Sequence, residues 1–379
     1  MKIIYLKPLS GYATPLRSDT LWGLLCWGIR HLWGEEGKEG LAAFLDACHE
    51  GTPPFVVSST FPCKKYDKDW IPFFPNPLPF PDGYDADLEE ARINAKLRKQ
   101  YKKAYTYVNL VDFTNILQGS LTAKQLRQRL RDIHDEEEKL VKEGKSKLDR
   151  PITPTEINQT VPRAEDFSMT HNTINRLRGG TLDLPVDGGA EDEKAGQLFH
   201  SDEFYWSDKY ADPHQDSNTG IFFLADGPDM SKLEAVLRLY RHWGFGADRT
   251  AGKGFFETEV YDFDFAQPTD ANAMLNLSLF RPQQEELKAL DEAAKDENKV
   301  RSFRYRIELR EGWVGGDGIY QRKTPHRYFT EGSVFPLLET RKQRHHLGGL
   351  IEQKDLSDKP HPVYDNGFGF MLQLKWNAP

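Results

Sequence analysis

The segment that most restricts this chain is Gly244-Phe-Gly-Ala-Asp-Arg-Thr-Ala-Gly-Lys-Gly254. It follows a helical pattern with Leu233, Val236, Leu237 and Tyr240 on one face, and it runs into a strand pattern at Gly254–Tyr261. A glycine-rich turn that leaves a helix and enters a strand excludes two nucleotide-binding motifs. A P-loop and a dinucleotide fingerprint both leave a strand and enter a helix, so that the helix N-terminus faces phosphate. The residues fail as well. Ala247 stands five before Gly252, where a P-loop needs glycine, and Gly254 follows Lys253 where a hydroxyl should hold magnesium. Arg249 stands where the dinucleotide motif needs its third glycine. What remains is a turn with bare amides and two cations, Arg249 and Lys253. Glycines let backbone approach a ligand closely, successive amides form an anion nest, and the cations add charge-assisted bonds to phosphate. A tight turn that needs several positive φ angles is the competing explanation.

The rest of the chain predicts an α+β protein. Lys2 to Leu6 reads as a strand. Ser18 is the expected N-cap of a helix carrying Leu21, Leu24, Leu25, Gly28 and Leu32 and ending at Gly34. A second helix carries Leu41, Phe44, Leu45 and Cys48, and Phe55–Phe61 reads as a strand. Prolines through residues 70–84 exclude helix there and leave Trp70, Phe73, Phe74, Phe80 and Tyr84 either packed over a core or free to stack on bases. Residues 86–104 and 122–143 read as helices, the second opened by the capping box Thr122-Ala-Lys-Gln125, and both as insertions with solvated faces. Phe199–Trp206 and Gly220–Leu224 read as strands. Beyond a boundary at 266–270, Met274–Phe280 reads as a strand, Gln283–Lys295 as a helix with Leu287 and Leu290 inward, and Phe303–Leu309 as a strand. The order predicts two ferredoxin-like (RRM-like) βαββαβ units, the second degenerate. The first spans 1–265, with a helical insertion at about 86–150 and a thumb-like hairpin at 163–200. The second spans 271–379.

At 379 residues the chain is long enough for two cores, and 38% hydrophobic content places it among globular proteins. No apolar run approaches a membrane span and no leader pattern opens the chain, so a cytoplasmic protein is expected. Cys26, Cys48 and Cys63 lack metal-ligand spacing and are expected as buried thiols. The net charge of −8 opposes a free-standing nucleic-acid binder, yet the charge is segregated. Residues 92–103 hold Arg92, Lys96, Arg98, Lys99, Lys102 and Lys103 without an acid, and 238–254 hold Arg238, Arg241, Arg249 and Lys253 against Asp248 alone. The acids gather at Asp135–Glu138, Asp187 and Glu191–Glu193. Such a pattern fits one component of a larger assembly.

Several segments then share a resemblance. The glycine loop after the last helix of a ferredoxin-like unit resembles the signature of the RAMP superfamily of CRISPR proteins. Leu16-Arg-Ser-Asp-Thr-Leu-Trp-Gly-Leu-Leu-Cys-Trp27, Gly51-Thr-Pro-Pro-Phe55, His171-Asn-Thr-Ile-Asn-Arg176, Gly196-Gln-Leu-Phe199, Gly332-Ser-Val-Phe335 and His361-Pro-Val-Tyr-Asp-Asn-Gly-Phe368 resemble the Cas-five-like subunit family of type III-A (Csm) effectors. The resemblance implies a scaffold that grips the repeat-derived 5′ handle of the crRNA and joins a large polymerase-like subunit to the backbone RAMP subunit. Target RNA would be met only indirectly. It implies RNA contacts at Gly244, Gly246, Arg249, Gly252, Lys253 and Gly254, at His171, Arg176 and Arg178 of a thumb-like hairpin, and at Ser18 and Asp19 beside the RNA groove. Asn175 stands where the family often carries an acid.

No cofactor, metal or catalytic residue is expected. His171 is the candidate if the chain instead cuts precursor RNA without metal, by general acid–base drive of a 2′-hydroxyl. His242 is expected to pack at a helix end. His134-Asp135 is expected on a helix surface, without the supporting set of a phosphohydrolase. Gly315-Gly-Asp-Gly318 lacks the second aspartate of a two-metal palm. His345-His346 is assigned no metal.

Overall fold

The computed structural model describes residues 1–79, 88–144, 146, 161–172, 174–175, 180–181, 183–185, 194–196, 198–207, 218–297, 299–314, 321–338, 346–356 and 362–377. Phe80, Tyr84, Arg176, Arg178, the acids at 187 and 191–193, the 315–318 string and His345 lie outside them.

The first half runs β1 (Lys2–Pro8), α1 (Ser18–Trp33), α2 (Leu41–His49), β2 (Val56–Val57), β3 (Phe61–Tyr66), β4 (Asp69–Pro75), α3 (Leu88–Ala104), β5 (Tyr107–Asn109), α4 (Leu110–Leu117) and α5 (Ala123–Lys142). A hairpin section follows: β6 (Arg163–Asn172), β7 (Ile174–Asn175), β8 (Gly180–Thr181), β9 (Asp183–Pro185), β10 (Lys194–Gly196) and β11 (Leu198–Ser207). Then come β12 (Thr219–Asp226), α6 (Met230–Trp243) and β13 (Phe256–Asp262). The main sheet is antiparallel in the order β13-β1-β12-β3-β4-β5, with β2 also on β12. Its strands β1, β3, β12 and β13 thus lie as fourth, first, third, second, with helices crossing after the first and the third. The connection 263–272 holds neither helix nor strand. The second half runs β14 (Ala273–Asn276), α7 (Gln284–Ala294), β15 (Ile307–Arg310), β16 (His326–Phe329), β17 (Val334–Pro336), β18 (His346–Leu347), β19 (Leu350–Glu352), β20 (Tyr364–Asn366) and β21 (Gly369–Leu374). Its sheet is ordered β17-β14-β21-β18. The fold class is α+β. Among the described residues no helix is long and apolar enough to cross a membrane.

One hydrophobic cluster spans both sheets. Ala273, Leu275, Phe370, Leu372 and Leu374 turn toward it together with Ile4, Phe222 and Phe74. Met274 and Met371, one residue out of phase, join Phe280, Leu290 and Phe335 in a second cluster. The period of two in β14 and β21 therefore builds two cores from one sheet. Helix α1 lies on α6, and Gly28 permits that approach: a Cβ there would meet Val236 Cγ1 at 2.3 Å.

Several expectations change. Arg17, not Ser18, is the N-cap of α1. Ser18 is fully buried, donates its amide to Ser59 Oγ at 3.0 Å and accepts from the Leu279 amide at 2.9 Å. The strand expected over 55–61 is split into β2 and the start of β3. The proline-aromatic stretch contains β4, where Trp70 stacks on Tyr5 at 5.3 Å and Phe74 on Phe113 at 4.3 Å, so its described rings are core. The 86–150 region is tied in rather than merely solvated: β5 pairs with β4, and Leu97, Tyr101, Leu126 and Leu130 are buried between α3 and α5. The Thr122–Gln125 capping box forms as expected. His134 is buried, with Lys96 at 3.4 Å and Glu138 at 3.3 Å. His242 is exposed. Leu287 is 51% exposed while Glu286 is buried, because the Glu286 carboxylate accepts from the Gln283 and Gly348 amides. The expected strand 274–280 stops at Asn276, whose side chain bonds Ser278 and Thr330. The expected strand 303–309 shortens to β15, which pairs with β16, while Arg304 ahead of it bridges Val334 of β17.

Candidate nucleic-acid interface

The glycine loop forms where the last turn of α6 must reverse into β13. Gly244, Gly246, Gly252 and Gly254 all have positive φ, and so does Asp248 at 56°. Phe245 donates to the Gly254 carbonyl at 2.6 Å, and Gly254 donates to Gly11 at 2.8 Å. Between these anchors, Asp248 caps a single 3₁₀ turn through the Ala251 amide at 2.9 Å. Chain reversal therefore accounts for each glycine. The tip differs. The amides of Gly246, Ala247, Asp248, Arg249 and Thr250 have no backbone acceptor among the described residues. The αL residue Asp248 followed by a right-handed turn is the conformation that gathers amides into an anion-binding concavity. Arg249 is exposed beside them and has no ion-pair partner among the described residues.

Lys253 is placed otherwise. Its ammonium sits between the Glu203 carboxylate and Asp248 Oδ2, the latter at 3.2 Å. Burial pulls its pKa down, but hydrogen bonds and charge from Glu203 and Asp248 outweigh that and hold it above the ordinary lysine value. Glu203 belongs to β11, which pairs with β6 from Ser207↔Arg163 to Leu198↔Asn172. Phe204 bridges Tyr12, amide to carbonyl in both directions, and their rings lie 5.9 Å apart. Lys253 and Tyr12 thus fasten the hairpin to the glycine loop. His171 pairs with Phe199, four residues along β11 from Glu203. At strand rise that is about 14 Å from the Lys253 contact. Arg176 and Arg178 lie outside the described residues.

Ser18 and Asp19 do not join this group. Arg310 Nε and Nη2 donate to Asp19 Oδ2 at 3.1 and 3.0 Å. Neighbouring Arg17 donates to Glu331 at 3.0 and 2.6 Å and to Glu308 at 2.7 Å. Burial opposes the Arg17 charge, yet the two carboxylates raise its pKa. The 16–19 segment is a junction between the two halves. Sequence spacing gave no signal for Glu203, Glu308 or Glu331, since each partner is distant in the chain.

Among the described residues no group of His, Cys, Asp and Glu is arranged to hold a metal. The three cysteines are buried and free, and burial raises all three thiol pKa values. A cavity of about 510 Å³ at the end of the main sheet is lined by Met1, Asp226, Asp262, Phe263 and Asp264, a charge that repels phosphate.

Residues 269–374 match the family described as the CRISPR Csm4 C-terminal domain. No curated protein matches the sequence. A chain of the crystal structure of a Csm1–Csm4 cassette in complex with cA4 is similar at 16% identity and a TM-score of 0.51, covering 100% of this chain and 99% of that one. A chain of the cassette in complex with pppApA is similar at 16% identity and 0.49, with the same coverage. A chain of the type III-B Cmr-beta complex bound to cognate target RNA and AMPPnP is similar at 11% identity and 0.39, covering 88% and 86%. Residues 269–374 thus match a Csm4 C-terminal domain, and the fold of the whole chain is similar to that of a chain in the Csm1–Csm4 cassette.

Proposed function

We propose that this chain is a non-catalytic scaffold that holds the 5′ handle of a crRNA between the glycine loop and the β6–β11 hairpin. The observation that carries the reading is the run of open amides from Gly246 to Thr250 beside exposed Arg249, at the foot of that hairpin. Amides and arginine hold phosphates of a single strand, which leaves bases free to splay and stack. Gly244, Gly252 and Gly254 shape the loop, Lys253 locks it to the hairpin, and His171 on β6, Arg176 and Arg178, the last two outside the described residues, are the further RNA contacts of this reading. The same reading gives two domains divided near 266–270. It also gives attachment to a large polymerase-like subunit, as in the similar Csm1–Csm4 cassette, and to a backbone RAMP subunit, in the cytoplasm.

The test is the RNA that co-purifies with the assembled complex, sequenced at its 5′ end and crosslinked to residues. Handle nucleotides should crosslink within 244–254. Arg249→Ala should lower retained RNA and reduce the salt slope by about 0.7 for one lost single-strand phosphate contact. Unchanged RNA content and slope would count against the loop. Cleavage of precursor RNA in EDTA that disappears in His171→Ala would replace the scaffold with an endoribonuclease.

A further inference from the structure

Helices α1 and α6 run antiparallel along one seam. The Lys232 ammonium lies 5.4 Å from the Trp33 ring centroid, Val236 stands over Gly28, and the Tyr240 hydroxyl donates to the Leu24 carbonyl at 2.6 Å. Where α6 ends, the seam carries a group of rings. His31 stands edge-on to Trp243 with centroids 4.7 Å apart, and Trp27 lies 5.9 Å from His31. The Arg30 guanidinium sits 5.0 Å from the Trp27 ring centroid. His31 is exposed, and Trp243 is 44% exposed. Tryptophan is highly buried on average, so an indole left open while a second ring holds it calls for an occupant.

The same rings lie next to the exposed cation of the glycine loop. The Arg249 side chain folds back over the loop, with Cγ 3.4 Å from where a Cβ on Gly244 would stand. Gly244 directly follows Trp243. Burial lifts the pKa of the Tyr240 hydroxyl to about 12, and the Arg249 charge acts against that rise, which sets the guanidinium beside the seam. A cation suited to phosphate and a ring suited to a base thus stand side by side. Trp27, Arg30, His31 and Trp243 are all planar, the kind of side chain on which splayed RNA bases stack. Such stacking accepts any base, because each has a π-face. Nearness to the loop with its open amides favours a base over a protein side chain as the occupant.

We infer that Trp243, with His31 and Trp27 behind it, is a stacking platform for one nucleobase of a single-stranded RNA that runs past the glycine loop. The inference rests on the loop reading and deepens it. The probes are oligoadenylate RNA and an abasic ribose-phosphate oligomer of equal length, titrated into the full chain. The wild type should bind oligoadenylate about tenfold more tightly, within the range for one stacked base. Trp243→Leu should bind both oligomers alike, at the wild type's abasic affinity. Its salt slope should be unchanged, because stacking releases no counterion. Trp243→Phe keeps a ring and should retain most of the preference, which separates stacking from a folding defect. Arg249→Ala should weaken both oligomers and flatten the salt slope while keeping the preference for bases. No preference in the wild type, or equal loss of both oligomers in Trp243→Leu, would overturn the inference and leave the loop reading standing. A preference that depends on Trp243, with no effect of Arg249→Ala, would support the platform and count against the loop. Displacement of oligoadenylate by equimolar adenosine monophosphate would make the occupant a free nucleotide and overturn the strand. Unchanged binding in Trp243→Leu, with a co-expressed protein subunit lost instead, would make the rings a protein contact and overturn the inference. Failure of both oligomers to bind would overturn both readings.

Discussion

Gly254→Ala and Gly252→Ala separate the backbone demands of the loop from those of its proposed ligand. Both glycines adopt the left-handed region, with φ of 75° and 84°, which costs an alanine about 1–2 kcal/mol. Their surroundings differ. A Cβ on Gly254 would stand 1.9 Å from the Phe245 carbonyl oxygen, a backbone atom, whereas nothing lies within 4 Å of one on Gly252. Relieving the clash moves the strand that receives the Phe245 amide and donates to Gly11. Losing both bonds adds about 2 kcal/mol. Gly254→Ala should therefore destabilise by about 4 kcal/mol and Gly252→Ala by about 1–2 kcal/mol. At roughly 2 °C per kcal/mol for a large domain, thermal melts should fall by about 8 °C and about 2–4 °C. The assay is a melt of the free chain followed by near-ultraviolet circular dichroism, paired with RNA content of the complex. Equal melting shifts for the two variants would refute the close approach of Phe245 as the reason for Gly254. A Gly252→Ala protein that melts near wild type but retains no RNA would assign Gly252 to the ligand.

Four further substitutions test the ion pairs. Lys253→Met strands the buried Glu203 carboxylate and should destabilise by about 3 kcal/mol, whereas Glu203→Gln keeps a hydrogen-bond acceptor for Lys253 and should cost about 1 kcal/mol. The folded-state pKa of Lys253 is raised above 10.5, so its stabilisation is complete below that pH and fades as pH climbs through the folded value. Melts should show the wild type's advantage over Lys253→Met in full at pH 9 and shrinking as pH is raised above 10.5, and a constant advantage would contradict the sign. Arg17→Met leaves Glu331 and Glu308 facing each other and should cost about 3–5 kcal/mol by denaturant titration. Adding Glu331→Gln should recover part of that loss, and strict additivity would show the pair is not coupled.

Local signals survived well. The apolar spacing of α1 and α6, the Thr122 capping box and the helix-to-strand setting of the glycine loop depend on neighbours in sequence. What failed depended on distant partners. Leu287 and Glu286 exchanged places because Gly348, far along the chain, supplies an amide for the carboxylate. His134 is buried because α3 packs over it, which the charges of its own helix conceal. Alternation in 303–309 was legible, but not which face would be inward, because Arg17 and Asp19 decide it.

The same distant partners alter what the resemblance conveys. The resemblance sets Ser18 and Asp19 beside an RNA groove, yet Arg17 and Asp19 are paired across the junction and Ser18 is sealed between Ser59 and Leu279. A segment so engaged is constrained by the joining of two halves, whatever RNA does. The glycines of the loop are likewise explained by chain reversal. The case for RNA therefore narrows to the open amides at 246–250, Arg249, and the hairpin that Lys253 and Tyr12 hold beside them. Lys253 is more than a lost phosphate ligand in this arrangement. Its ammonium binds one carboxylate in the loop and one in the hairpin, so a charge that sequence alone aims at RNA instead fixes the spacing of the two jaws. On the proposed reading, restraint of that kind lowers the ordering cost of holding RNA, so that a modest set of contacts would suffice for retention.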